Sequence, residues 1–239
     1  MLKPVCVVAL AVLASGSTRT AAEEPKGKSR DKVEWLVKED FTNVDKTLPK
    51  GWKQVKGSQP LVVTSGVMHP VPAVARVPHS VDIPAALEGD FVIEFVFSSF
   101  HNPPIARGKP QPHNLGLLLV DKDGKITSKD GTLRIWQQGQ GTRFGGFVSV
   151  LAAGEKTTAD TAPVQRSGEG EHHTVELERK DKEYFVSVNG KVLYKGTLDD
   201  LGDRPFGAVR FGLLGGDNGQ KGNNVVFTQV HSVKIGVKK

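Results

Sequence analysis

Cysteine is nearly absent from this sequence: Cys6 is the single one in 239 residues, and it lies inside an N-terminal apolar stretch. No disulfide framework is available, so the rest of the chain must be held together by burial. Long apolar runs are missing as well. The stretch from Val5 to Ala14 is about half of the roughly 20 residues that a membrane-spanning helix needs. No segment longer than ten residues carries an apolar stripe at helical spacing, which argues against helical bundles and α/β layers. Charge of one sign is not concentrated either. The chain has 32 Lys and Arg against 26 Asp and Glu, interspersed, for a net charge of +6. Aromatic residues make up only 7% and do not interleave with a basic stripe. A nucleic-acid partner is therefore not expected, and the mild positive charge serves solubility.

Familiar catalytic patterns are missing too. No Gly-x-Ser-x-Gly occurs, and "GQGTRFGG" (139–146) lacks both the Lys-Ser/Thr and the strand-to-helix context of a phosphate loop. The Glu-x-Asp-x-x-Glu arrangement that sets acid and nucleophile on one strand face for glycoside hydrolysis is absent. Its nearest imitation is Glu176 with Glu178, two apart on one strand face, expected as a solvated surface beside Lys180 and Lys182. His101, His113, His172 and His173 fall in or beside long loops without metal-ligand spacing, so no metal site is expected. "DKDGK" (121–125) begins like a calcium loop, but Thr132 stands where the terminal Glu belongs, so it is expected as a β-turn. No cofactor is expected. Calcium at the oxygen-rich "GGDNGQKGNN" (215–224) is the one alternative, beside a plain hairpin loop.

What is present begins with a segment to be removed. Lys3, the apolar stretch and the small residues up to Thr20-Ala21-Ala22 form a secretory signal over residues 1–22. Its loss, with Lys3 and Arg19, takes the net charge from +6 to +4. The mature chain is expected to be secreted or periplasmic, as in a bacterial envelope, monomeric and not inserted in a membrane. Residues 23–34, "EEPKGKSRDKVE", read as a charged tether, and 35–239 as one domain.

From Trp35 onward, short runs rich in Val, Phe and Ile alternate with period 2 and are bounded by Gly, Pro, Asn and Asp. About a dozen strands result, with single helical turns expected at "IPAAL" (83–87) and "LDDLG" (198–202). In "HTVELERKDKEYFVSVNGKVLYKG" (173–196), Val175 and Leu177 take one face of a strand. Lys180-Asp181-Lys182 reverses the chain, and Tyr184, Val186 and Val188 continue the apolar face. Asn189-Gly190 turns the chain again, both central positions requiring positive φ.

This meander resembles the late strands of concanavalin A-like lectin/glucanase domains. The resemblance implies an all-β fold, a concanavalin A-like jelly-roll β-sandwich of two antiparallel sheets, one of them often sugar-facing. Within that superfamily "DFTN" (40–43), Gly51-Trp52, "LVVTSGVMHP" (61–70) and "NLGLLLV" (114–120) are similar to the 3-keto-disaccharide hydrolase domain. That likeness implies hydrolysis of a glycoside or 3-keto-disaccharide. Leu115, Val120 and Arg134 depart from its pattern.

Strand parity yields a candidate site. With Phe91, Ile93, Phe95 and Phe97 inward, Glu94 faces out. With Leu133 and Ile135 inward, Arg134, Trp136 and Gln138 face out. With Val209, Phe211 and Leu213 inward, Arg210 faces out. These five residues are expected together on an outer sheet face. There an indole packs on a pyranose and Arg, Glu and Gln bond to its hydroxyls. The alternative is an ordinary outer face of cross-strand ion pairs.

Two functions follow. The first is carbohydrate interaction with a glycan or oligosaccharide through Arg134, Trp136, Gln138 and Arg210, with Glu94 as acid/base should hydrolysis occur. The second is a non-catalytic binding or scaffold domain contacting envelope polymers or proteins, favoured by the departures at Leu115, Val120 and Arg134. Hydrolysis demands a second carboxylate within about 5–10 Å of Glu94, across a cleft.

Overall fold

The computed structural model describes residues 32–70, 78–102, 112–123, 134–140, 144–146, 148–151, 164–167, 171–197, 204–214, 216–217 and 225–239. In chain order its strands begin with β1 (Val33–Glu39), β2 (Lys53–Gln54), β3 (Leu61–Thr64), β4 (Val67–Pro70), β5 (Pro78–Leu87) and β6 (Phe91–Asn102). Then come β7 (Pro112–Asp121), β8 (Arg134–Gln140), β9 (Phe144–Gly146), β10 (Val148–Leu151), β11 (Val164–Ser167) and β12 (His173–Lys180). The last are β13 (Glu183–Val188), β14 (Lys191–Thr197), β15 (Phe206–Leu214), β16 (Gly216–Asp217) and β17 (Val225–Lys238). No helix occurs among the described residues.

The strands form a nine-stranded sheet ordered β14-β13-β12-β6-β17-β4-β3, with β1 and β16 also on β17, and a six-stranded sheet ordered β10-β8-β7-β15-β5-β2. A short β11–β9 ladder completes the set. The pairings within both sheets are antiparallel, as the alternating sequence predicts. Residues 83–87, expected as a helical turn, are instead the end of β5. Val81, Ile83, Ala85 and Leu87 are all buried, a period of 2 that only an extended chain gives. Pro84 fits because β2 pairs with β5 only at Asp82 and Val81, so the missing N–H faces an open edge. The "LDDLG" turn lies outside the described residues.

Alternation drives the layers together. Phe91, Ile93, Phe95 and Phe97 from β6, Val175 and Leu177 from β12, and Val233 and Ile235 from β17 are buried on the inner side of the larger sheet. Val81, Ile83, Leu117, Leu119, Val209, Phe211 and Leu213 line the other. Across the interface Phe95 meets Phe211 with ring centroids 5.0 Å apart, and Phe91 meets Phe206 edge-on at 6.1 Å. Each such side chain contributes about 1.5–3 kcal/mol by leaving water.

The meander folds as its turns dictate. Asn189 (φ 51°) and Gly190 (φ 77°) join β13 to β14, and Asp181 (φ 50°) with Lys182 (φ 68°) joins β12 to β13. Asn189 adds its own support, accepting at Oδ1 from the Thr174 backbone N–H at 2.9 Å. The surprise is Arg179, which follows the inward parity of Val175 and Leu177 and is 1% exposed. Its guanidinium carbon lies 4.5 Å from the Phe91 ring centroid and 5.7 Å from that of Phe206. Nε donates to the carbonyl of Gly89 at 2.6 Å, as does the second terminal nitrogen, and Nη1 donates to the carbonyl of Arg204 at 2.7 Å. A flat, weakly hydrated cation can be buried in this way when its donors are met.

Candidate functional site

The register of the six-stranded sheet sets its outer face in rows. One row aligns Lys53 on β2, Asp82 on β5, Arg210 on β15, Leu118 on β7 and Arg134 on β8. The next aligns Ser80, Gly212, Gly116, Trp136 and Ser149. A third aligns Pro78, Leu214, Asn114 and Gln138. All have the parity opposite to the buried set Val81, Ile83, Leu117, Leu119, Val209, Phe211 and Leu213. The backbone thus places Arg134, Trp136, Gln138 and Arg210 on one face, three strands wide. Beside Trp136 the row falls to Gly116, Gly212 and Ser80, the smallest side chains available. A Cβ built on Gly212 would stand 3.2 Å from Ser80 Oγ, so the low row is also tightly set.

Arg210 is committed to a partner that local patterning does not reveal. Its Nε donates to Asp82 Oδ1 at 2.5 Å and Nη2 to Oδ2 at 2.8 Å, a two-pronged fork. The two side chains are 22% and 25% exposed. Asp82 alternates with Val81 and Ile83, so its outward parity was readable in the sequence; its neighbour, 128 residues away, was not.

Glu94 does not join this group, which corrects the expectation of one shared face. It lies on β6 of the nine-stranded sheet and points away from the core there, on the opposite side of the sandwich from Arg210. Parity says that a side chain faces outward but not from which sheet. Across the larger sheet Glu94 sits in a row with Ser187, Glu176, Lys234 and Lys38. Lys234 Nζ donates to Glu94 Oε1 at 2.7 Å and stands 6.0 Å from the Trp35 ring centroid. Lys238 Nζ holds Glu178 Oε1 at 2.5 Å. Glu176 and Glu178 are therefore half-buried, with a lysine of β17 beside them, rather than a solvated surface beside Lys180 and Lys182. Burial, then the carboxylates of Glu178 and Glu94, push the Glu176 carboxyl above its usual range. Glu176 opposes Glu94 directly, their Cβ atoms about 4.5–5.5 Å apart. That is a second carboxylate near Glu94, but it shares one sheet surface with it instead of facing it across a cleft.

The histidines divide. His173 opens β12 and is buried, 6.1 Å from Phe97 by ring centroids, with burial lowering its pKa. His172 stacks on His231 at 4.0 Å, and His231 Nε2 lies 2.7 Å from Ser98 Oγ. Burial and then His172 lower the His231 pKa to about 4. His101 and His113 belong to strands, β6 and β7, not to loops. Among the described residues no group of three or more His, Cys, Asp or Glu could hold a metal ion. In "DKDGK", the Asp123 N–H donates to Asp121 Oδ1 at 3.0 Å, and Lys122 pairs with Glu88 at 2.5 Å. Most of 215–224 lies outside the described residues. No helix among them is long and apolar enough to cross a membrane.

Two stacked antiparallel sheets in this order define a concanavalin A-like β-sandwich. No family model matches the chain, and no curated protein matches its sequence. Solved structures do. The carbohydrate recognition domain of Emp47p is 13% identical, with 89% of this chain and 100% of that one covered at a TM-score of 0.55. SCLam, a non-specific endo-β-1,3(4)-glucanase of family GH16, is 13% identical over 90% and 95% at 0.55. A laminarinase from Flavobacterium sp. UMI-01 is 11% identical over 85% and 100% at 0.55. At such identities the likeness is one of fold.

Proposed function

We propose that the chain is a glycan-binding β-sandwich whose ligand lies on the outer face of the six-stranded sheet. One observation carries this: the register brings Trp136 into line with Gly116, Gly212 and Ser80, flanked on one side by the Arg210–Asp82 fork and on the other by Asn114 and Gln138. A row of glycines beside an indole position makes a low track. Sugar rings can settle along it, with amide and guanidinium donors at its rims. The fold neighbours supply support of a second kind, since their names describe a carbohydrate recognition domain and glucan-cleaving enzymes.

Binding without turnover is favoured over hydrolysis of a glycoside or 3-keto-disaccharide. Glu94 is on the other sheet and paired with Lys234. In these rows Asp82 is the carboxylate among the described residues, and both its oxygens are held by Arg210. The N-terminal segment supports an extracytoplasmic setting, secreted or periplasmic, where such a module meets polymers.

The test is a glycan array run beside turnover assays on keto-disaccharides, comparing the parent with Trp136→Ala and Glu94→Gln. Retention of a glycan by the parent and Glu94→Gln, lost in Trp136→Ala, supports the proposal. Unchanged retention in Trp136→Ala removes the track. Turnover abolished by Glu94→Gln restores the hydrolase.

A further inference from the structure

We infer that the ligand of the six-stranded face is an acid-bearing glycan, one whose sugars carry carboxylate or sulfate groups. This rests on the glycan-binding proposal above and specifies its ligand. The row that crosses five strands holds three cationic residues, Lys53, Arg210 and Arg134, and one anionic residue, Asp82. Both Asp82 oxygens are already occupied by the Arg210 fork. The row has therefore spent its carboxylate within the protein, while lysine and arginine carry donors and no acceptors.

A neutral sugar hydroxyl is both donor and acceptor, and is served best by a balance of the two. A carboxylate or sulfate brings acceptors of full charge, which form shorter and stronger bonds to such donors. Lys53 is exposed, and no described carboxylate pairs with it. It and Arg134 stand four strand spacings, or about 19 Å, apart along the row. A glycan laid across the strands passes Lys53, the fork and the backbone position of Arg134. The nine-stranded sheet differs on this point. Its row with Lys38 and Lys234 also holds Glu94 and Glu176, so the charges balance. Lys234 and Lys238 there are each paired with a glutamate.

The experiment measures fluorescence anisotropy with labelled oligogalacturonate, its fully methyl-esterified form, and a sulfated oligosaccharide of equal length, at low and high salt. The expected result is about tenfold or greater preference for an acidic probe over the ester, weakening with salt. Lys53→Glu should remove most of that preference, whereas Lys38→Glu, the same charge change on the nine-stranded sheet, leaves it within about twofold. The tighter of uronate and sulfate names the source of the acid. Equal affinity for acid and ester, or equal loss in the two variants, overturns the inference and leaves the glycan-binding proposal standing. Failure of all three probes, together with a blank array, overturns that proposal instead.

Discussion

The outer faces of the two sheets obey the same alternation and end with opposite chemistry. On the nine-stranded sheet, carboxylates from β6 and β12 meet lysines from β17, Glu94 with Lys234 and Glu178 with Lys238. Two of its carboxylates are thus answered by lysines within the surface. On the six-stranded sheet a fork of Arg210 and Asp82 borders a row of two glycines and a serine. Of the described cations in its rows, Arg210 is held by Asp82 while Lys53 is exposed. Outward parity alone does not make a site; what matters is whether neighbouring strands satisfy one another.

The contrast can be broken or sharpened in order of expected effect. Phe95→Ala removes the ring that meets Phe211 between the layers and should cost about 3–5 kcal/mol, read as a lower urea midpoint. Both faces would then be lost together. Asp82→Ala leaves the guanidinium of Arg210 without its acceptors and should cost about 1–3 kcal/mol. A double-mutant cycle with Arg210→Ala measures the coupling, and zero coupling would mean that the fork does not order this face. Trp136→Ala should weaken glycan retention about tenfold, or about 1.4 kcal/mol, with the urea midpoint unchanged. Equal weakening by Glu94→Gln would erase the distinction between the sheets.

The smallest effect sharpens the other face. The Glu176 carboxyl is raised by burial and by its two acidic neighbours, so the native state binds its proton more tightly than the unfolded chain does. Its stabilising contribution is present below the ordinary value of 4.5 and is lost as pH rises through the higher native value. Glu176→Gln should therefore gain about 0.5 kcal/mol at pH 7 and nothing at pH 3, in paired denaturant titrations. A gain that persisted at pH 3 would show that charge is not its cause.

The fold was legible wherever a local pattern decides the outcome. Phe91, Ile93, Phe95 and Phe97 declare an inner face by alternation alone, and Asn189-Gly190 declares a turn because few other pairs accept two positive φ values. "IPAAL" misled because proline and alanine suggest a helical turn, whereas pairing with β15 holds the segment extended. Arg179 was invisible for the converse reason: a charge on an inward position reads as a surface residue until its acceptors and ring partners are seen. The site was half legible. Which residues of β8 and β15 share one face followed from period 2, but strand order joins positions far apart in sequence. Only that order separates Glu94 from Arg210 and brings Asp82 to it.

The strand β17 has a consequence for how the molecule comes into being. Residues 225–238 run through the interior of the largest sheet, bonded to β6 along most of their length and also to β1, β4 and β16. A ribosome delivers them after the other described strands, so β6, β1 and β4 hold unfilled hydrogen-bonding edges until β17 has emerged. The larger sheet therefore closes only when β17 arrives, and the early strands meet through the last described one.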